Sequence, residues 1–203
     1  MANQDISQLH AEALELLKQL IATPSFSKEE NETAEILIHF FAQKGIEHFR
    51  VGNNVYAKNK FYDATKPSVL LNSHHDTVKP NAKYTKDPFE PIIEDGKLYG
   101  LGSNDAGGCL VSLIATFLYY YEKENLSHNV VFAASAEEGR KPNSGEPTKA
   151  GLQKAYAEKI INETYINQYS GIPGGNGWYT DQEIMYKKLI PLSIFTIVLI
   201  NSA

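Results

Sequence analysis

Two short apolar runs constrain the fold of this chain more than any other feature. Val69–Leu71 and Val130–Ala134 are apolar at every position, which is typical of strands that are buried on both faces. Between them, residues 110–121 have the apolar spacing of a helix. Strand, helix and strand in this order predict an α/β domain in which a mostly parallel central sheet is flanked by helices.

The segments before the first apolar run predict local elements. Residues 5–22 place apolar side chains at three- and four-residue steps, which indicates a helix. Ser27 and Glu30 have the spacing of a capping box for a second helix, and Gly45 stands where its C-terminal cap belongs. Two short β-forming runs around residues 52–54 predict a hairpin. A loop is expected over residues 79–96 and a last, apolar strand over residues 192–200.

Composition narrows the class of protein. A chain of 203 residues that is 42% hydrophobic can bury the core of one domain. We divide this domain into an N-terminal part, residues 1–139, and a shorter remainder, residues 140–203. The net charge of −5 gives no electrostatic reason to bind nucleic acid. The longest apolar run, residues 189–200, is too short to span a membrane. A single cysteine, Cys109, and an N-terminus without a signal-peptide pattern predict a cytoplasmic protein.

Polar motifs follow the predicted strands, at the edge where ligands collect in open α/β sheets. Taken singly, each has an ordinary explanation: a solvated loop, a helix N-cap, an acidic turn and a tight turn. Taken together, one histidine and several carboxylates form a nitrogen and oxygen ligand set that suits zinc, with cobalt or manganese as substitutes. The residues concerned are His74 and Asp76, Asp105, Glu137 and Glu138, and Glu146.

Two stretches resemble a known family of dinuclear zinc amidohydrolases. The family includes acetylornithine deacetylase, succinyl-diaminopimelate desuccinylase, aminoacylase and glutamate carboxypeptidase. Residues 70–80, Leu-Leu-Asn-Ser-His-His-Asp-Thr-Val-Lys-Pro, resemble its first signature, and residues 87–89 with 96–105 resemble the approach to its bridging aspartate. The amino-acid sequences of these stretches are most similar to those of the acetylornithine and succinylornithine deacetylase branch. The resemblance extends from about residue 5 to residue 138.

The resemblance implies a role for each metal ligand. His74 would bind the first metal, and Asp76 would orient its ring. Asp105 would bridge the two metals, Glu138 would bind the second, and Glu146 would complete the ligands of the first. Two zinc ions per chain are therefore expected, although the residues present leave one or none open.

The resemblance also implies the reaction. Glu137 would act as the general base, taking a proton from water and giving it to the leaving amine. The substrate would be a small N-acyl amino acid such as N-acetyl- or N-succinylornithine, as in arginine biosynthesis.

Three departures from the family pattern predict impaired activity. Glu146 follows Glu138 by only 8 positions, where the family has a much longer stretch, and all six histidines precede Glu137. The family's dimerisation domain has no counterpart, so any oligomer would form in another way. Two alternatives are therefore open. The chain could be a truncated, non-catalytic remnant with a partial metal site, or residues 192–200 could pair with another chain as an edge strand.

Overall fold

The computed structural model describes residues 5–136 and 196–200, in which helices pack against a five-stranded sheet and a second sheet has two strands. None of the helices in these ranges has the length and hydropathy of a membrane span. The helices are α1 (Ile6–Ala22), α2 (Asn31–Gln43) and α3 (Cys109–Tyr121). The strands are β1 (His48–Val51), β2 (Asn54–Lys58), β3 (Ser68–His74), β4 (Ile92–Glu94), β5 (Lys97–Tyr99), β6 (Asn129–Ser135) and β7 (Thr196–Ile200).

The main sheet has the strand order β1-β2-β6-β3-β7. The predicted α/β class is confirmed, but the expectation of a mostly parallel sheet is wrong for the strands that the structure describes. Only β3 and β6 run parallel, while the other three pairings are antiparallel. The reason is that the β1–β2 hairpin adds to the free edge of β6, and β7 adds to the free edge of β3. Antiparallel pairing does not require a crossover connection.

The last strand, β7, pairs within its own chain. Its residues Thr196–Ile200 lie antiparallel to Ser68–Asn72 of β3. The sequence expectation of a strand in this region is therefore confirmed over these five residues. The alternative in which this segment pairs with another chain as an edge strand stays a prediction, since β7 is the last strand in the order of the described sheet and β3 occupies one of its edges.

The two ends of α2 differ in how well local sequence predicts them. The capping box is wrong, because α2 begins at Asn31 with Glu30 at the N-cap position and no side-chain cap. The Glu30 carboxylate is buried and accepts instead from the backbone amide of Lys28 and the side chain of Asn53.

At the C-terminal end of α2 the predicted cap is confirmed. Gly45 has a φ of +65°, and its amide and that of Ile46 close the last turn of the helix.

A short hairpin, β4–β5, interrupts the region that the sequence predicts as a loop. Ile92 pairs with Tyr99 and Glu94 with Lys97, on either side of Asp95-Gly96. An Asp-Gly pair is a strong signal for a two-residue hairpin turn. The strands beside this pair are only three residues long, and charged residues and prolines surround them. For these reasons the sequence predicted a loop here.

The core lies between the sheet and the three helices. Three phenylalanine rings meet in it from different elements: Phe41 of α2, Phe117 of α3 and Phe132 of β6, with centroids 5.6–6.1 Å apart. All three side chains are fully buried.

Strand β6 contributes to the core on both of its faces. One face, with Val130, Phe132 and Ala134, lies in this core. The other face belongs to a smaller buried cluster, which consists of Val131, Ala133, Tyr56 and Leu70. Both faces of the strand are therefore buried, as its sequence predicted.

Replacing Phe117 with alanine tests this core. We expect Phe117→Ala to lower the free energy of unfolding by about 3–5 kcal/mol, because the cavity sits among rings that cannot collapse onto it. Phe61→Ala is the matched control, since Phe61 is 44% exposed and its loss should change stability by no more than about 0.5 kcal/mol. Urea unfolding of the three proteins measures both effects, and equal losses in the two variants would contradict the assigned core.

Candidate metal centre

The parallel strands β3 and β6 end side by side. Their register runs from Ser68 opposite Asn129 to His74 opposite Ser135, so both strands finish at the same edge of the sheet. The backbone amide of His75 donates to the carbonyl of Ser135 at 3.0 Å, which extends the pairing one step beyond the strands. Side chains that follow β3 and β6 are therefore brought to one place, as expected for an open α/β sheet.

His74 lies between two carboxylates. Its Nδ1 donates to the backbone carbonyl of Asp76 at 3.2 Å, and Oδ1 of the same residue lies 3.2 Å from Nδ1. On the other side, Nε2 lies 3.1 Å from Oδ1 of Asp105. Asp76 is only 3% exposed, whereas the Asp105 side chain is 70% exposed. The imidazole is thus oriented from behind by a buried carboxylate and presents its second nitrogen to an accessible one.

This arrangement fits a bound cation. A neutral imidazole that donates through Nδ1 carries a lone pair on Nε2, which here faces a carboxylate oxygen. Two acceptors in contact require a proton or a metal ion between them. Two ligand atoms on a tetrahedral zinc are about 3.3 Å apart when each bond is about 2.0–2.1 Å, and the observed separation of 3.1 Å is close to that value. His74 and Asp105 could therefore share one zinc ion.

The part of the chain that the structure describes supplies two of the predicted ligands. Within residues 5–136 and 196–200, no group of three or more histidine, cysteine, aspartate or glutamate residues could hold a metal ion. The other sequence-predicted site residues, Glu137, Glu138 and Glu146, lie outside the described residues. The structure thus brings together His74, Asp76 and Asp105, and their roles toward a metal stay predictions.

Asp105 does not cap a helix. The sequence left an N-cap as the simplest explanation of this residue, but α3 begins at Cys109 with Gly108 at the cap position and no side-chain cap. Asp105 lies in a separate turn, Ser103–Gly108, and its own backbone is extended, with φ −111° and ψ 98°. That conformation turns its carboxylate toward His74 instead of toward the amides of α3. The N-cap alternative is therefore wrong.

Gly107 lets this turn pack closely. A Cβ atom at this position would lie 2.6 Å from the carbonyl oxygen of Gly102 and 2.7 Å from Cδ1 of Leu17 in α1. A glycine next to a carboxylate ligand can let the backbone approach a metal closely. In the structure, the close approach at Gly107 is between protein segments, and it seats the Asp105 turn against α1.

His75 belongs to the interior. Its Nε2 donates to the backbone carbonyl of Asn53 at 2.9 Å, and its Nδ1 lies 2.9 Å from Oγ1 of Thr33. Burial lowers the pKa of His75, so the ring is neutral near pH 7. The Thr33 hydroxyl that lies against Nδ1 donates to the backbone carbonyl of Glu30 at 3.1 Å. Sequence reasoning did not single out Asn53 and Thr33. Their only local signals were a polar turn and a polar residue on the apolar face of α2.

The family follows from comparison with known proteins. Peptidase family M20/M25/M40 matches residues 70–177, which is just over half of the chain and includes His74, Asp76 and Asp105. The chain belongs to this family. The resemblance drawn from residues 70–105 is therefore confirmed.

Relatives of the M20 chain come from two enzyme groups. A succinyl-diaminopimelate desuccinylase of Nitrosospira multiformis is 31% identical over 137 residues, which are 63% of this chain and 35% of that protein. An acetylornithine deacetylase of Erwinia tasmaniensis is also 31% identical, over 188 residues, which are 78% of this chain and 49% of that protein. The M20 chain thus spans about a third to a half of the length of these relatives.

Solved structures share the fold. The M20 family metallo-carboxypeptidase Sso-CP2 from Sulfolobus solfataricus has a TM-score of 0.56 and 25% identity, and the match covers 74% of this chain and 35% of that one. The YXEP protein of Bacillus subtilis, a dinuclear metal binding peptidase of the M20 family, has a TM-score of 0.51 at 19% identity, over 77% of this chain and 41% of that one. These matches confirm that the described elements form part of an M20-type α/β fold.

The packing of the Asp105 turn leads to a stability prediction. We expect Gly107→Ala to lower the free energy of unfolding by about 1–3 kcal/mol, because the new methyl group would overlap the Gly102 carbonyl and Leu17. Asn104→Ala is the control, since Asn104 is exposed in the same turn and its loss should cost no more than about 0.5 kcal/mol. Thermal unfolding compares the two variants. If Gly107→Ala were as stable as the parent, the turn would not be seated as described.

The buried His75 predicts a pH dependence of stability. Burial lowers its pKa below the ordinary 6.5, while the Asn53 carbonyl and the carboxylates of Glu30 and Asp76 oppose this effect. The unfolded chain therefore binds this proton more readily, and the free energy of unfolding should fall as the pH decreases below about 6.5. One such group contributes at most about 1.4 kcal/mol per pH unit.

Urea unfolding of the metal-free protein between about pH 5 and 8 measures this slope. The parent should lose more stability on acidification than His75→Gln, whose amide does not titrate. The same slope in both proteins would contradict a buried neutral His75.

Proposed function

We propose that this chain forms part of a metal-dependent amidohydrolase that cleaves the amide bond of an N-acyl amino acid. The contact that carries the proposal is the 3.1 Å approach of His74 Nε2 to Asp105 Oδ1, with Asp76 behind the ring. Membership of the M20 family supports it, and so do relatives named for removing acyl groups from amino acids. N-acetyl- or N-succinylornithine is the proposed substrate, and the cytoplasm is the proposed compartment.

His74 and Asp105 would hold a zinc ion, with cobalt or manganese as substitutes. When bound, the metal supplies a Lewis acid that polarises the scissile carbonyl and lowers the pKa of a water molecule. Asp76 holds the Nδ1 proton of His74, which fixes the tautomer and leaves Nε2 available as a ligand. Glu138 and Glu146 are the further proposed ligands.

Glu137 is the proposed general base. Its carboxylate takes the proton from the attacking water and delivers a proton to the leaving amine nitrogen. Sequence continuity supports this placement, since Glu137 is the second residue after β6 and β6 ends beside His74. We propose residues 1–139 as the N-terminal part of the catalytic domain and residues 140–203 as a divergent remainder.

One observation favours a second candidate function. Glu146 follows Glu138 by only 8 positions, where the family has a much longer stretch, and this spacing matches a chain that keeps a partial metal site without turnover. Metal stoichiometry separates the candidates, because two zinc ions per chain support the hydrolase and one or none supports the non-catalytic form.

Zinc binding tests the proposal directly. We expect the parent chain to retain zinc after dialysis and His74→Ala to lose it. Asp76→Asn should bind zinc about 10–100-fold more weakly, because it keeps the backbone acceptor for Nδ1 but replaces the buried carboxylate beside the ring with a neutral amide. Metal analysis gives the stoichiometry, and competition with a chelator gives the affinity. His10→Ala is the matched control, since His10 is exposed on α1 and far from this edge in sequence, and its loss should change neither value.

Hydrolysis completes the test. The zinc-loaded parent should release free ornithine from N-acetyl- or N-succinylornithine, more slowly than a full family member because of the departures described above. His74→Ala should abolish the release, while His10→Ala should preserve it. A parent that binds no zinc and releases no amine would overturn the hydrolase proposal.

A further inference from the structure

The turn of the β1–β2 hairpin lies beside the candidate metal centre. Strand β2 runs antiparallel to β6, with Val55 opposite Ala134. The start of β2 therefore meets the end of β6. The Gly52–Asn54 turn, by which we mean the two turn residues and the first residue of β2, lies at the edge where β3 and β6 finish. No sequence motif links this turn to the site. Topology alone places it there.

The second asparagine of the turn binds the chain just after β6. Oδ1 of Asn54 accepts from the backbone amide of Ala136 at 3.1 Å, and Nδ2 donates to the carbonyl of Val51 at 3.2 Å. Ala136 is 7% exposed and immediately precedes Glu137. Its amide lies beyond the last residue of β6, so the Asn54 side chain supplies its acceptor.

The first asparagine of the turn binds the segment after β3. The carbonyl of Asn53 accepts from Nε2 of His75 at 2.9 Å. The Asn53 side chain is held in turn, because Nδ2 donates to the buried Glu30 carboxylate at 2.9 Å and Oδ1 accepts from Arg50 at 3.0 Å. Thr33 contacts the far side of the His75 ring. The residue between His74 and Asp76 is thus anchored to both the hairpin and α2.

We propose that the Gly52–Asn54 turn positions the candidate metal centre by holding the residues that follow its two parallel strands, His74–Asp76 through Asn53 and Ala136, the residue before Glu137, through Asn54. The effect of this turn on metal affinity rests on the proposed function. Metal ligands must be held to within about 0.5 Å, and loss of a group that orients them costs about 10–100-fold in affinity. Asn53 and Asn54 are positioning residues in this scheme and touch no metal themselves.

Two substitutions at Asn54 isolate its contribution. Asn54→Ala removes the acceptor for the Ala136 amide, whereas Asn54→Asp keeps an oxygen there and loses only the donor to Val51. We expect amide hydrogen exchange at Ala136 to accelerate at least about 10-fold in Asn54→Ala, with cobalt affinity reduced about 10–100-fold. Asn54→Asp should restore both values toward those of the parent.

Asn81→Ala is the matched control for these variants. Asn81 also accepts a backbone amide through its side chain, but in an exposed turn, so its loss should leave Ala136 exchange and cobalt affinity unchanged. Unchanged exchange at Ala136 in Asn54→Ala would overturn the proposal, and so would equal acceleration in Asn81→Ala. A parent that binds no cobalt contradicts the proposed function alone, because the exchange at Ala136 still decides whether the turn holds this segment.

A pair of His75 variants tests the other half of the turn. His75→Gln keeps an amide donor for the Asn53 carbonyl, whereas His75→Leu removes it. The visible absorption spectrum of bound cobalt reports ligand geometry, and we expect His75→Leu to alter it and His75→Gln to restore it toward that of the parent. Identical spectra in all three proteins would contradict the role of Asn53. If His75→Leu does not fold, His75→Phe takes its place, because it keeps an aromatic ring and also lacks the donor to the Asn53 carbonyl.

Discussion

The parallel pairing of β3 with β6 is the interaction on which the rest of the structure depends. Both strands bury apolar side chains, and every residue of β6 is inaccessible to solvent. The pairing is continuous from Ser68 opposite Asn129 to His74 opposite Ser135. A slip of one residue would turn Phe132 away from Phe41 and Phe117, so the core specifies the register. The same register delivers two polar segments to one edge of the sheet.

Polar groups take over where the apolar strands end. Beyond Ser135 and His74, backbone amides leave the sheet ladder while the surroundings are still buried, and an unpaired amide there would be costly. The Ser135 carbonyl and the Asn54 side chain accept from the amides of His75 and Ala136. The polar layer therefore completes the backbone hydrogen bonding at the edge of the core, and it holds His74 and Asp76 in place.

The sequence correctly predicted the elements that depend on interactions between residues close together in the chain. The apolar stripe of α1, the glycine cap at Gly45 and the hairpin around residues 52–54 all depend on neighbours a few residues apart, and all are confirmed. The predictions that failed concern longer-range choices. Glu30 caps no helix because Asn53, distant in sequence, uses its carboxylate, and the sheet is mixed because β2 and β7 occupy the free edges of β6 and β3.

The sequence by itself determined the α/β class, the family and the candidate residues His74, Asp76 and Asp105. The reason is that a buried strand and a short motif each consist of adjacent residues, so both can be recognised without the fold. Only the tertiary structure decided which nitrogen of His74 faces Asp105 and that Asp105 caps no helix. It also decided that the hairpin turn lies at the same edge. These features depend on contacts between residues 22 to 82 positions apart, and such contacts exist only once the core has set the register of the sheet.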